Sequence, residues 1–102
     1  MNLANKCVLV ITQEEYESVL KEARRQGYRW YGGREAYPFE NQYLPDILKF
    51  YSNKDMVRNA SIGPGYELIE ASDVIETALT ESFIKSLKLL ADTVESQMEE
   101  VK

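Results

Sequence analysis

The sequence TQEEYESVLKEARRQGYRWYGG, from Thr12 to Gly33, decides the fold because it encodes a helix with both ends marked and the strand that follows it. Thr12 and Glu15 have the spacing of a capping box, in which each side chain accepts a hydrogen bond from a backbone N–H group at a helix start. Gly27 supplies the left-handed residue that commonly closes a helix. The stretch therefore predicts a helix, a tight turn and a strand.

One face of this helix is predicted to be buried. Apolar side chains recur at the i, i+3, i+4 and i+7 spacing of a single helical face, at Tyr16, Val19, Leu20 and Ala23. In the strand that follows, Tyr28 and Trp30 share one face while Arg29 and Tyr31 share the other. If Trp30 faces the helix, it belongs to the core, and Arg29 and Tyr31 are then exposed.

The flanking segments supply the rest of a sheet. Strands are predicted over residues 7–11, 28–31, 47–51, 56–62 and 66–69. Segment 34–45 is expected to be loop, with Phe39 and Tyr43 packed against the body, because Pro38 and Pro45 disfavour a central strand. The prediction is an α+β fold in the order β-α-β-β-β-β, with one helix packed on a sheet of about five strands that is mainly antiparallel because tight turns join most of them. The two strands that flank the helix are expected to be adjacent or to have one strand between them.

The C-terminal third is predicted to be a long amphipathic helix. Its pattern is helical from Thr80 to the end, and a start is expected at Ser72 or Thr77. Its apolar residues have a spacing close to that of a heptad seam, at Phe83, Leu87, Leu90, Val94, Met98 and Val101. The helix either packs on the open face of the sheet or pairs with a second copy of the chain. We expect one domain, with a compact α+β unit at residues 1–76 and this helix at residues 77–102.

The composition is that of a small cytoplasmic protein. At 102 residues and 44% hydrophobic content, the chain is expected to form a single domain. No apolar run approaches the roughly 20 residues that span a bilayer, and the first residues lack the features of a signal peptide. The lone Cys7 is expected to be a buried small hydrophobic residue.

The absence of histidine argues against an enzyme. It excludes Ser-His and Cys-His nucleophile systems, and one cysteine leaves too few ligands for a zinc site. The Gly63-Pro64-Gly65 segment is too short for a phosphate-binding loop and lacks its lysine. We therefore expect no catalytic residues, no metal and no cofactor.

The negative charge is concentrated at the C-terminal end. Residues 1–69 carry nine acids and nine bases, whereas residues 70–102 carry eight acids and three lysines. Direct nucleic-acid binding is not expected there, because phosphate contacts need clustered Lys and Arg. The acidic helix surface, with Glu95, Glu99 and Glu100, is either a solvated face or a contact for a basic partner.

A positively charged cluster follows the first helix. Five bases lie between Lys21 and Arg34, with Glu22 as the only acid and with aromatic residues interleaved. Arginine beside aromatic rings is typical of sites that bind a nucleotide or a single strand, and also of protein-interface hot spots. The candidate binding residues are Arg24, Arg25, Arg29, Tyr31 and Arg34.

Three stretches, ITQEEYESVLKEARRQGYRWYGG, ILKFYS and YELIEASDVIE, resemble small uncharacterised proteins carried by bacteriophages. In those proteins an I-T-x-E-E helix start, a G-Y-x-W-x-x-G helix exit and a terminal strand with an acidic I-x-A-x-D ending recur. The resemblance covers residues 7–76. It implies a protein of the bacterial host cytoplasm that binds a host or defence component, and it transfers no functional residues.

Two classes of function follow. In the first, the protein binds and inhibits a host or antiviral-defence protein, as anti-CRISPR proteins do, through the Arg/aromatic residues or through the acidic helix. In the second, it is an oligomeric sponge that sequesters a nucleotide signal with Arg24, Arg29 and Arg34. Its self-association would then use Phe83, Leu87, Leu90, Val94 and Met98. A third role, as an accessory in virion assembly, is also compatible with the sequence.

Overall fold

The structure is a computed structural model that describes residues 1–100, with side chains described through residue 89. Its elements are β1 (Lys6–Val10), α1 (Gln13–Arg25), β2 (Arg29–Trp30), β3 (Asp46–Phe50), β4 (Asp55–Val57), β5 (Glu67–Glu70) and α2 (Ala71–Glu100). The fold is α+β, as the sequence predicts. Over the described residues, neither helix is both long and apolar enough to cross a membrane.

The sheet is mixed rather than mainly antiparallel. Its strand order is β2-β4-β3-β1-β5. Strand β3 is antiparallel to β1 and β4, whereas β5 is parallel to β1 and β2 is parallel to β4. The prediction of a mainly antiparallel sheet is wrong, since two of the four strand pairs are parallel. A tight turn does not always join strands that are neighbours in the sheet. The chain turns at 63–65, but β5 then pairs with β1 at the far edge of the sheet instead of with β4.

Strands β1 and β2 flank α1 in sequence, but two strands lie between them in the sheet. Both point in the same direction, and the β3–β4 hairpin fills the space between them. The expectation of at most one intervening strand is therefore wrong. The position of a hairpin within a sheet depends on long-range pairing, which local sequence patterns do not encode.

The core lies between α1 and one face of the sheet. The predicted apolar stripe of α1 is fully buried, which confirms that prediction for Tyr16, Val19, Leu20 and Ala23. The facing side chains come from β1, β2, β3 and β4, and they are Val8, Val10, Trp30, Leu48, Phe50 and Met56. Trp30 is paired with Met56, and Met56 with Phe50, so these three share one face. The prediction that Trp30 belongs to the core is confirmed.

Both ends of α1 are formed as the sequence predicts. The Glu15 N–H donates to Thr12 Oγ1 at 3.1 Å, and the Thr12 N–H donates to Glu15 Oε1 at 3.2 Å. At the other end, Gly27 has φ +86°. Its N–H donates to the Arg24 carbonyl at 3.0 Å, and the next residue's N–H donates to the Ala23 carbonyl at 2.9 Å. This pair of bonds is a Schellman motif, which directs the chain into β2.

Helix α2 begins earlier than expected. It follows β5 directly, and the Glu70 N–H donates to Asp73 Oδ2 at 3.1 Å across the first turn. Ala71 and Val74 are buried in the same core as α1. The predicted start at Ser72 or Thr77 is wrong. The helix begins at Ala71, and the side chain that accepts a hydrogen bond from the backbone at this end is that of Asp73.

Beyond these first turns, α2 leaves the core. Every residue from Leu79 to Leu89 is exposed. One of the two arrangements expected from the sequence was packing of this helix on the open face of the sheet. Residues 79–89 of α2 do not cover that face.

The second face of the sheet is partly covered by the segment between β4 and β5. Cys7 Sγ lies 3.9 Å from the Ile62 carbonyl oxygen, and Lys49 Nζ lies 4.3 Å from the centroid of the Tyr66 ring. Cys7 is fully buried, as predicted, and its burial raises the pKa of the thiol. It is therefore a packing residue with little thiolate character.

Candidate functional site

Three of the five candidate residues lie around one tyrosine. Arg24 and Arg29 line a cleft of about 390 Å³, and Arg34 lines an adjoining cleft of about 350 Å³. Glu35 and Tyr37 line both clefts. The two clefts meet at the loop of residues 31–45 that joins β2 to β3.

A tight turn brings the start of this loop back against β2. Gly32 and Gly33 have φ of +102° and +97°, which side chains other than glycine rarely adopt. The Gly33 N–H donates to the Trp30 carbonyl at 2.9 Å, and the Trp30 N–H donates to the Arg34 carbonyl at 2.8 Å. Arg29 and Glu35 consequently form an antiparallel bridge. The glycine pair is thus what places Arg29 beside the loop.

Three side chains from the body then hold the loop backbone. Arg24 Nη1 donates to the Ala36 carbonyl at 2.7 Å, and Trp30 Nε1 donates to the Tyr37 carbonyl at 3.0 Å. The Phe39 N–H donates to the hydroxyl oxygen of Tyr16 at 3.1 Å. A loop of this length without secondary structure is usually either functional or disordered. These bonds fix the backbone of the loop, so little backbone order has to be gained when a ligand binds.

Arginine and aromatic side chains stack on one another within the site. The guanidinium of Arg24 lies 4.2 Å from the ring centroid of Tyr37, and that of Arg58 lies 3.9 Å from the ring of Phe39. The Trp30 and Phe39 rings are 4.8 Å apart. Trp30 is buried, so its ring is not available to stack on a ligand. Arg24 and Arg58 are likewise already in contact with aromatic rings of the protein.

Arg29 and Arg34 differ from these two arginines because their guanidinium groups have no polar partner. Both side chains are exposed, and neither forms a side-chain hydrogen bond or an ion pair with the described residues. The nearest aromatic contact of Arg34 is the Phe39 ring, at 5.5 Å. These two cations remain free to bind. The half-exposed Tyr37, whose ring already stacks on Arg24, lies between the two clefts.

Arg25 lies outside this group. Its Nε donates to both carboxylate oxygens of Glu22, at 2.8 and 2.9 Å, and its Nη2 lies 4.0 Å from Glu81 Oε2. Glu22 is buried, and the hydrogen bond from Arg25 holds the pKa of its carboxyl below the ordinary value of 4.5. Arg25 therefore compensates a buried carboxylate on the opposite side of α1.

Tyr31 is exposed, as predicted, but it faces a different cleft. This third cleft, of about 390 Å³, is also lined by Tyr51, Asp55 and Val57. The exposed fraction of Tyr31 is 75%. The structure thus separates Tyr31 from the two clefts that contain Arg24, Arg29 and Arg34.

Sequence reasoning missed three residues of this region. Tyr37 became part of the site only because the loop folds back over α1. Tyr43 was expected to pack against the body, and this is wrong, because it is 87% exposed. Arg58 stacks on Phe39 from the far side of the loop and lies near Asn41. No periodic pattern marks such residues, because the loop has no repeating geometry.

The candidates on α2 are only partly described. Phe83 and Leu87 are 64% and 49% exposed. The other predicted self-association residues, Leu90, Val94 and Met98, and the acidic candidates, Glu95, Glu99 and Glu100, lie outside the residues whose side chains are described.

The side chains that line these clefts are of the kinds that bind a ligand or a partner. Their polar lining consists of guanidinium groups, phenols and the Glu35 carboxylate, which bind through charge-assisted hydrogen bonds and stacking. Among the described residues, no group of three or more His, Cys, Asp or Glu side chains is placed to hold a metal ion.

Comparison of the chain with protein-family models, curated protein sequences and solved structures finds no match.

Proposed function

We propose that the protein is a non-enzymatic accessory protein of a phage, which binds and inhibits a host or antiviral-defence protein. The binding surface is formed by Arg29, Arg34 and Tyr37. The observation that carries this proposal is the pair of exposed guanidinium groups, unpaired among the described residues, of Arg29 on β2 and Arg34 on the loop. Tyr37, on the same loop, lies between them, and the backbone of that loop is already ordered. The phage context rests on the sequence resemblance alone.

A protein partner suits this surface for two physical reasons. Arginine and tyrosine are enriched among the residues that contribute most of the binding energy at protein interfaces. A loop that is ordered before binding loses little conformational entropy when the partner binds, which favours affinity. The acidic surface of α2 is an alternative contact for a basic partner, and it remains part of the proposal as a second surface to test.

A nucleotide sponge is the second candidate. In its favour, the cleft lined by Arg24 and Arg29 has a volume of about 390 Å³, which falls within the range of small-molecule sites. The guanidinium group of Arg29 in this cleft has no polar partner among the described residues. Against it, Arg24 already donates to the Ala36 carbonyl and stacks on Tyr37, and Trp30 is buried. The guanidinium group of Arg24, which would bind phosphate, and the ring of Trp30, which would stack on a base, are therefore already in contact with other groups of the protein.

The test is affinity capture from lysates of infected and uninfected bacterial cells, with the full chain as bait. The variant Arg29→Ala with Arg34→Ala removes both free guanidinium groups. The control, Lys21→Ala with Lys88→Ala, makes the same change in charge at two exposed lysines away from the clefts. We expect the wild type and the control to retain the same bacterial protein. The double arginine variant should bind it at least about 100-fold more weakly, since a hot-spot residue typically contributes more than about 2 kcal/mol.

Native mass spectrometry of the same preparation separates the two candidates. A nucleotide-sized adduct that disappears in Arg29→Ala would overturn the inhibitor proposal in favour of the sponge. The inhibitor proposal would also be contradicted if the wild-type bait captured no protein that the double arginine variant fails to capture. Retention that survives that variant but is lost with Glu95→Lys and Glu99→Lys would move the binding surface to α2.

A further inference from the structure

We propose that the protein pairs with a second copy of itself through α2. The contact surface is the α2 stripe, formed by Leu79, Phe83 and Leu87 with Ile84 beside them. These four side chains are between 49% and 66% exposed. Monomeric proteins rarely leave such a continuous apolar surface open to water. This inference rests on α2 alone and does not depend on the proposed function.

The stripe points away from the rest of the molecule. At about 100° per residue, Val74 lies on the opposite side of the helix from Phe83, and Glu81 lies within about 20° of Val74. Val74 is buried in the core, and Glu81 accepts a hydrogen bond from the Met1 amino group at 2.8 Å. Leu79 and Leu87 lie about 40° to either side of Phe83. The opposite side of α2 faces the body, and the described part of the chain leaves the stripe exposed.

Over residues 79–89, the charged side chains of α2 lie away from this surface. Glu76, one turn before Leu79, lies within about 20° of Phe83 and limits the stripe at its N-terminal end. Glu81, Lys85 and Lys88 lie on the side opposite Phe83, by the same helical geometry. The positions that flank the stripe are occupied by uncharged residues, including Thr80 and Ser86. Two copies of this acidic helix can therefore approach each other along residues 79–89 without placing like charges in contact.

The heptad-like pattern favours another helix as the partner, and an identical helix brings no charge repulsion along residues 79–89. Charged residues that flank an apolar seam are what select one partner over another in helix pairs, and this seam has none over residues 79–89. The sequence continues the same spacing with Leu90, Val94 and Met98. A second copy offers the same uncharged, apolar stripe, and it is present wherever the chain is made. Pairing through it leaves β2 and the Arg29–Arg34 surface, at the other edge of the sheet, accessible.

Sedimentation velocity of the full chain over a range of concentrations tests this proposal. We expect the wild type to have the mass of two copies, and Phe83→Glu with Leu87→Glu to be monomeric, with a dissociation constant raised at least about 100-fold. The matched control, Lys85→Ala with Lys88→Ala, makes the same change in charge on the opposite side of the helix. It should remain dimeric.

Phe83→Ser with Leu87→Ser removes the apolar surface without adding charge and should also be monomeric. Circular dichroism of each variant checks that the helices are retained, and the exposed positions of both residues make unfolding unexpected. A wild type that stays monomeric up to about 100 μM would overturn the proposal. So would a dimer that survives both pairs of stripe substitutions, or a lysine control that dissociates as fully as they do.

Discussion

At the scale of single residues, the arginines divide by what they already contact. Arg24 and Arg58 stack on aromatic rings, and Arg25 is bonded to a buried carboxylate. Arg29 and Arg34 have no such polar partner among the described residues. Some arginines therefore stabilise the fold, whereas others are free to bind a partner. The difference comes from the side chains that the fold places next to each of them.

The contribution of Glu22 and its ion pair with Arg25 to stability should depend on pH. The pKa of Glu22 is lowered chiefly by the hydrogen bond from Arg25. Because its folded-state pKa lies below the unfolded value, the carboxylate contributes stability that is fully present above about pH 4.5 and is lost as the pH falls through the folded-state pKa. We expect Glu22→Gln to be less stable than the wild type at pH 7, with a gap that narrows as the solution is acidified.

Urea unfolding at a series of pH values measures this gap. Glu17→Gln removes an exposed carboxyl from the middle of the same helix and serves as the control, and it should lose less stability at pH 7 than Glu22→Gln does. A gap for Glu22→Gln that is constant with pH would show that the ion pair with Arg25 does not contribute to stability.

At the scale of elements, the two helices are stabilised in different ways. Helix α1 has a capping box, a Schellman motif and a fully buried stripe, so its local and tertiary signals agree. In α2, among the residues whose side chains are described, only the first turns are buried, and the apolar side chains from Leu79 to Leu89 are exposed. A helix with this pattern needs a second surface to cover it, which is the physical basis of the proposed pairing.

The capping box of α1 makes a local prediction. Thr12→Ala removes the acceptor for the Glu15 N–H and should lower the free energy of unfolding by about 1 kcal/mol. Thr12→Ser keeps a hydroxyl at the same place and should stay within about 0.5 kcal/mol of the wild type. Chemical denaturation of the three proteins measures the difference, and equal losses in both variants would contradict a role for the cap.

At the scale of the whole molecule, one core joins elements from both ends of the chain. Leu3 and Val8 near the start, Leu48 in the central strand and Val74 in α2 belong to a single buried cluster. The start of α2 is therefore part of the domain rather than an appendage to it. Unfolding is expected to be a single cooperative event, as in most small domains.

Core substitutions test that cooperativity. Leu48→Ala should lower the free energy of unfolding by about 3 kcal/mol and Val74→Ala by about 2 kcal/mol, because each leaves a cavity in the same cluster. Fluorescence of Trp30 and far-ultraviolet circular dichroism should report the same transition in both variants. Thr80→Ala, at an exposed site, should leave the transition unchanged. Separate transitions for Val74→Ala would place α2 outside the core.

The sequence by itself determined whatever depends on neighbours a few residues apart. The capping box, the glycine closure and the buried stripe of α1 are contacts at i+3 and i+4, so they can be found in one dimension. The alternation that buries Trp30 and exposes Arg29 is equally local. The number of strands and the acidic C-terminal third also followed from composition and pattern.

Only the tertiary structure decided how these parts meet. The strand order, the burial of Glu22, and the fold of loop 31–45 over Tyr16, Arg24 and Trp30 all depend on contacts that follow no repeating pattern in the sequence. The direction of the α2 stripe was likewise hidden, because a helical pattern shows that one face is apolar but not which face the body uses. Such contacts depend on the packing of the whole chain, since each becomes favourable only when the others bring its residues together.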